Sequence, residues 1–164
     1  MDKKRKTVLI AVAAILLVVA IFLLPRRAQP LGELIHAAEA DTSIQAIFDL
    51  KATVPTENGE TSGSCDYIAV PDSEAGQALL DVLSGISAHR IFRLPTSLSG
   101  PLSGGNYVSL WYTVDGQRYD LYLCMDSSTV YNDASHAAAY RLDSDAAEAF
   151  SALVNVILRY GEKR

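Results

Sequence analysis

The chain has 164 residues, with 14 Lys and Arg against 19 Asp and Glu, and its formal net charge is −5. Most of the basic residues come early, so the part after Arg27 carries a net charge of about −10. This acidic balance disfavours nucleic-acid binding, which needs a positive surface. It also disfavours contact between the body of the domain and an anionic lipid surface.

The first feature along the chain is an apolar segment over residues 7–24, which contains no charge, no Gly and no Pro. As a helix it would span roughly 27 Å, close to the thickness of the hydrocarbon core of a bilayer. Four basic residues precede it and two follow it, which predicts a cytoplasmic N-terminus. A cleaved signal peptide, with Ala38-Glu39-Ala40 as the cleavage site, is the alternative.

This pattern predicts four parts, namely a cytoplasmic tail (1–6), a transmembrane anchor (7–24), a juxtamembrane linker or helix (25–43) and an extracytoplasmic domain (44–164). The protein is then expected in the cell membrane as a single-pass protein, with its C-terminal domain extracellular.

The linker is expected to contain a short helix over residues 30–40. Alternating apolar residues then predict strands over 44–50 and 65–70, with a loop over 55–64 between them. A helix capped by Asp72 or Ser73 follows, and after it a short strand over 91–94 and a Gly- and Pro-rich loop over 95–105.

The strongest local signal is Asp115-Gly116, which separates two alternating runs over 107–114 and 117–125. Gly accepts the positive φ of a type I′ turn, so these runs are predicted to form a hairpin. The predicted register places Val114 opposite Gln117 and Tyr112 opposite Tyr119.

Two more short strands are predicted over 129–131 and 137–142, around a turn at Asn132-Asp133. The chain closes with an amphipathic helix that Asp143 or Ser144 caps, with Glu148 three residues after Asp145 as a capping-box partner, and that ends at Gly161. Hairpins and two helices define the predicted fold class as α+β. The full prediction is a single N-terminal transmembrane helix followed by a mainly antiparallel sheet with two helices packed on one face.

The hairpin NYVSLWYTVDGQRYDLYLCM, the strand TVYN and the run AYRLDSDAAEAFSALV resemble a pattern in small secreted or membrane-anchored proteins of Gram-positive bacteria. The earlier CDYIAVPDSEAGQALLDVLSGI resembles their strand-then-helix unit. The resemblance covers roughly residues 44–158 and implies an α+β domain with a curved sheet. It assigns no catalytic residue.

No motif predicts a cofactor, a metal site or an enzyme. The three histidines, His36, His89 and His136, are far apart in sequence, and neither an HExxH nor a CxxC spacing occurs. The loop SLSGPLSGGN lacks the spacing of a phosphate-binding loop, and no GxSxG motif is present. A hydrolase with His89 or His136 as its base remains an alternative, because a triad is recognised only by geometry.

The hairpin supplies the candidate ligand or partner face. The predicted register places three aromatic residues on the face opposite the apolar ladder, with two charged residues that could anchor a ligand: Tyr107, Trp111, Tyr122, Arg118 and Asp120. The alternative is that the aromatic residues pack across the strands and serve stability alone. Cys65 and Cys124 either pair as a disulfide or stay separate buried thiols.

These observations favour a non-enzymatic, membrane-anchored, extracytoplasmic domain that binds an envelope protein or a cell-wall component. A small-molecule or glycan-binding module that uses the aromatic face is the alternative, and a cryptic envelope hydrolase is the third hypothesis.

Overall fold

The structure is a computed structural model that describes residues 8, 10–16, 27–92, 105–132 and 138–163. After Arg27 the described residues form nine strands, three α-helices and one 3₁₀ helix (Ala37–Glu39). The strands are β1 (Gln29–Pro30), β2 (Ile44–Thr56), β3 (Gly59–Ala69), β4 (Ser87–Phe92), β5 (Tyr107–Val114), β6 (Gln117–Cys124), β7 (Thr129–Asn132), β8 (Ala138–Leu142) and β9 (Glu162–Lys163). The α-helices are α1 (Leu31–Leu34), α2 (Glu74–Gly85) and α3 (Ala146–Tyr160).

All nine strands belong to one sheet in the order β1-β4-β8-β7-β6-β5-β2-β3-β9, and every neighbouring pair is antiparallel. One face of this sheet carries apolar side chains that share a core with the helices, including Phe48 and Val108 from the strands and Leu83 and Leu153 from α2 and α3. We call the opposite side of the sheet the outer face. The predicted α+β class with an antiparallel sheet is confirmed.

The β5–β6 hairpin has the predicted register, with Val114 opposite Gln117 and Tyr112 opposite Tyr119. Asp115 and Gly116 adopt φ values of 51° and 75°, as a type I′ turn requires. The carboxylate of Asp41 accepts hydrogen bonds from the backbone N–H of Asp115 (2.9 Å) and of Gly116 (3.2 Å). These bonds hold the pKa of Asp41 below its ordinary value.

Side-chain caps fix the starts of the two long helices. The Ser73 hydroxyl accepts from the Gly76 N–H at 3.0 Å, and the Asp145 carboxylate accepts from the Glu148 N–H at 3.0 Å. The cap of α3 is therefore Asp145 rather than the predicted Asp143 or Ser144. The buried stripe of α3 includes Phe150 and Ile157, which lie against the core face of the sheet.

The prediction of a loop over 55–64 is wrong, because β2 continues to Thr56 and β3 starts at Gly59, which leaves only residues 57 and 58 between the strands. A break in the β2–β3 pairing between Leu50 and Val54 separates the turn end of this hairpin from the rest of the sheet. The Asn106 side chain accepts hydrogen bonds from the N–H groups of Lys51 and Ala52 at this break. The long hairpin then lies against α3.

The predicted transmembrane helix over 7–24 is contradicted. No helix in the part of the chain that the structure describes is long and apolar enough to cross a membrane. Within that segment the structure describes residue 8 and residues 10–16, which are helical.

Smaller differences concern the ends of elements. The predicted helix over 30–40 divides into α1 and the 3₁₀ helix, with a left-handed His36 between them. The strand predicted over 91–94 begins at Ser87. The predicted loop over 95–105 lies outside the described residues except for Gly105, as do His136 and most of the turn predicted after Asn132.

Candidate functional site

The outer face lies opposite the helix-covered core and carries all five predicted site residues. Trp111 lies across from Asp120, Thr113 across from Arg118, and Ser109 across from Tyr122. Since side chains alternate along a strand, these residues point away from the core ladder of Val108, Leu110, Leu121 and Leu123. The predicted common face is therefore present, although the five residues divide into two groups along it.

The first group is a packed aromatic pair at the start of β5. The ring centroids of Tyr107 and Tyr122 are 6.3 Å apart in an edge arrangement. The Tyr107 hydroxyl donates to Asp49 at 3.4 Å, and Asp49 also pairs with Lys51 at 2.8 Å. Burial, followed by the charge of Asp49, raises the pKa of Tyr107. These contacts agree with cross-strand packing, so this pair has a structural role.

The second group lies nearer the hairpin tip and has unused hydrogen-bonding capacity. The Trp111 Nε1–H and the Asp120 Oδ1 are both buried, and neither has a hydrogen-bond partner. The other Asp120 oxygen accepts from Arg118 at 3.4 Å. Arg118 is largely exposed, which makes this ion pair weak. A buried donor and a buried acceptor left unpaired on adjacent strands are unusual in a folded protein.

Two exposed aliphatic side chains lie on the same face as Trp111, and sequence reasoning missed them. Gln45 of β2 lies between Trp111 of β5 and Ile68 of β3 in one row across the sheet. Ile68 is 67% exposed, and Val70, directly after the strand, is 51% exposed. We call the surface formed by this row and the Arg118–Asp120 pair the Trp111 patch; its members are Gln45, Ile68, Val70, Trp111, Arg118 and Asp120.

Ile68 and Val70 are unusual within their own domain. Among the residues that the structure describes after Arg27, they are the only large hydrophobic side chains in the exposed class. Single exposed hydrophobic residues are common, but Ile68 and Val70 are two such residues at one sheet edge, on the same face as the half-buried Trp111 and two strands away from it. Tyr67 and Ala69, which alternate with them, are buried on the core face. The alternation that predicted a strand therefore did not show which apolar side chains are exposed.

The patch reaches the edge of the sheet. β9 pairs with β3 only at Cys65 and Asp66. No strand in the described part of the chain pairs with the outer side of β3 from Tyr67 to Ala69. Segment 66–74 contains three acidic residues and no Lys or Arg.

A histidine–carboxylate pair lies near the opposite edge of the sheet from the patch, at β4 and the end of β8. The His89 Nδ1 is 3.0 Å from both oxygens of Asp143. Within the described residues, no hydroxyl group hydrogen-bonds to His89, and no cluster of metal-ligating side chains occurs. A histidine held by a carboxylate is a pairing that nucleophilic triads use, but the described residues place no hydroxyl group within hydrogen-bonding distance of His89.

A groove with a volume of about 280 Å³ lies between α2 and α3. Its lining is mostly small and apolar, with Gly85, Ala149 and Ala152 among the lining residues. Of its polar lining residues, Ser144 already hydrogen-bonds to the backbone of Ser87. The groove offers few polar groups that could orient a ligand.

The structure does not bring the two cysteines together. Cys65 and Cys124 are both buried, and no disulfide joins them. They lie on β3 and β6, which are separated by β2 and β5, so their Cα atoms are roughly 14 Å apart at about 4.8 Å per strand. A disulfide needs about 5.5 Å. Cys65 also faces the core, where its thiol donates to the Ile157 carbonyl, whereas Cys124 belongs to the outer face.

These features define an α+β domain with one nine-stranded antiparallel sheet and a part-apolar patch at one sheet edge. Comparisons with protein-family models, with curated proteins and with solved structures give no match. The resemblance to Gram-positive envelope proteins therefore stays a prediction.

Proposed function

We propose that this chain is a binding domain that recognises a partner protein through the Trp111 patch. The observation that supports this proposal is the exposure of Ile68 and Val70 on the same sheet face as Trp111, in a domain whose other large described hydrophobic side chains are at least partly buried. Trp and Arg are enriched where protein interfaces concentrate their binding energy, and the patch contains one of each.

The patch has the layout of an interface centre with a polar border. Ile68, Val70 and the Trp111 ring supply apolar area, and Gln45 and the Arg118–Asp120 pair supply polar groups around it. Burying the exposed part of each aliphatic side chain would contribute roughly 1 kcal/mol or more to binding. No residue of the patch forms part of a nucleophile–base arrangement, so the proposal is for binding rather than for catalysis.

Photo-crosslinking tests this proposal. A photoreactive residue at position 68 in the full chain should capture a specific protein from the native host, and the same residue at position 117 should not. The captured protein should then be purified and its affinity measured. We expect Trp111→Ala to weaken binding by about 2 kcal/mol, and Gln117→Ala, at the exposed hairpin tip, to leave it unchanged. Equal affinity for both variants would overturn the proposal.

A hydroxyl-rich ligand such as a cell-wall glycan is a second candidate. The unpaired Trp111 Nε1–H and Asp120 Oδ1 favour it, because hydroxyl groups can accept from an N–H and donate to a carboxylate. Cell-wall fragments should then raise the melting temperature of the full chain. Trp111→Phe, which keeps a ring but removes the N–H, should reduce that shift. Identical shifts for both proteins would exclude this use of the patch.

A further inference from the structure

We propose that the partner adds an extended strand to the edge of β3 at Tyr67–Ala69. This inference rests on the proposed function, because it specifies how a protein would occupy the Trp111 patch. The expected segment alternates apolar residues with basic ones.

The edge itself is the first argument. β9 covers β3 at only two positions, Cys65 and Asp66, and the outer side of the next three residues has no strand beside it in the described chain. An uncovered edge exposes backbone N–H and C=O groups to another strand. Proteins commonly protect such edges with charged side chains, Pro or bulges. Here the exposed positions are Ile68 and Val70, and Pro71 comes only after them.

The side chains supply the second argument. Ile68 lies two residues after Asp66 and points to the outer face, while Tyr67 and Ala69 point into the core. An added strand would place every second one of its side chains on the outer face, and one of these would lie next to Ile68. Cross-strand pairs between β-branched or aromatic residues stabilise a sheet, so apolar residues are expected at these alternate positions. Backbone hydrogen bonds would supply affinity, and these side chains specificity.

Charge distinguishes a partner segment from a second copy of this chain. Segment 66–74 contains Asp66, Asp72 and Glu74 and no basic residue, and the chain after Arg27 has a net charge of about −10. Pairing of two identical edges would bring acidic segments together, which costs free energy. A segment with Lys or Arg between its apolar residues would instead match the edge in charge.

A random decapeptide library displayed on phage, selected against the full chain, tests the inference. Selection should enrich peptides that alternate apolar and basic residues. Synthetic versions should protect from hydrogen exchange those amides of residues 67–70 that point away from β2, which are every second one along the strand. Their affinity should fall at least about tenfold in Ile68→Lys, which removes an apolar contact and adds a repelling charge. Gln117→Lys adds the same charge at the hairpin tip and should bind as the unaltered chain does.

Several outcomes would overturn strand addition. These are peptides without alternation, equal binding to Ile68→Lys and the unaltered chain, protection at other strands, or protection of residues 67–70 in a dimer without peptide. The proposed function can survive each of them. A captured partner that loses affinity in Trp111→Ala but leaves the amides of residues 67–70 unprotected would support the patch and reject the added strand.

Discussion

Trp111 and Asp120 lie directly opposite each other on β5 and β6, and each has one buried polar atom without a hydrogen-bond partner. The two ends of the outer face differ in this respect, because at the Tyr107–Tyr122 end the Tyr107 hydroxyl donates to Asp49. An unpaired buried donor costs about 1–3 kcal/mol, so natural structures contain few of them.

This cost can be measured with two substitutions of the same residue. Trp111→Phe removes the unpaired N–H and keeps an aromatic ring, so the free energy of unfolding should stay within about 1 kcal/mol of the original or rise. Trp111→Ala removes the ring and should lower it by about 2 kcal/mol. Urea denaturation followed by far-UV circular dichroism measures both. Equal losses in the two variants would mean that the N–H has a partner in solution.

The Asp41 carboxylate should make the β5–β6 turn sensitive to acid. Hydrogen bonds from the Gly116 and Asp115 N–H groups lower the pKa of Asp41 below its ordinary value of 3.8. Because this pKa is depressed, the hydrogen bonds to the Asp41 carboxylate stabilise the folded turn fully above the unfolded-state pKa. This stabilisation is lost as the pH falls through the folded-state pKa.

Amide hydrogen exchange at Asp115 and Gly116, measured between pH 2 and pH 6 and corrected for the intrinsic rate, follows this loss. Protection should fall towards the acid end in the unaltered chain. In Asp41→Asn it should be weaker near pH 6, should approach that of the unaltered chain at the acid end, and should not show that fall. Asp81→Asn, an exposed position on α2, is the control and should behave like the unaltered chain. Equal protection profiles for the unaltered chain and Asp41→Asn would contradict the stabilisation of the turn by Asp41.

Gly76 should not tolerate a side chain. A Cβ at this position would overlap the Val70 carbonyl oxygen and the Pro71 Cα, both of them backbone atoms. We expect Gly76→Ala to lower the free energy of unfolding by about 2–3 kcal/mol. At Gly85, at the end of the same helix, an added Cβ meets no atom within 4 Å. Gly85→Ala should raise the free energy by about 0.5–1 kcal/mol. Urea denaturation compares them, and a neutral Gly76→Ala would contradict the close packing of α2 on Val70.

The two cysteines should behave as buried thiols. Burial raises the pKa of Cys124, which reduces its thiolate fraction, and Cys65 lies within the core. A thiol reagent should therefore react slowly with the folded chain at pH 8 and should titrate two thiols per chain in denaturant without a reductant. No titratable thiol in denaturant would show a disulfide and would contradict the separation of β3 and β6.

Local signals predicted the parts of the fold that depend on neighbouring residues. Asp115-Gly116 determines a turn by its backbone conformation, and this turn fixes the register of β5 and β6. Ser73 caps α2 through a residue three positions away, which is also a local contact.

The remainder depends on contacts between distant parts of the chain. The end of β2 and the first half of β3 were predicted as a loop over 55–64 because their residues are mostly polar, Gly or Pro. In the structure they pair, and Asn106, distant in sequence, stabilises the break in pairing at Lys51 and Ala52. The exposure of Ile68 follows from its place at a sheet edge. That place depends on the order of all nine strands, which the strand pattern alone does not contain. The aromatic face was predicted from one hairpin, and for this reason its division into two groups was missed.

The most direct measurement uses the only tryptophan of the chain. We would record the Trp111 emission maximum and its quenching by acrylamide in the full chain, before and after adding the partner captured at position 68. If the Trp111 patch is the binding surface, the free chain should show partial quenching, and the partner should suppress it and shift the emission to the blue. A free chain whose Trp111 is already fully protected, or a bound complex with unchanged quenching, would contradict the role of this patch.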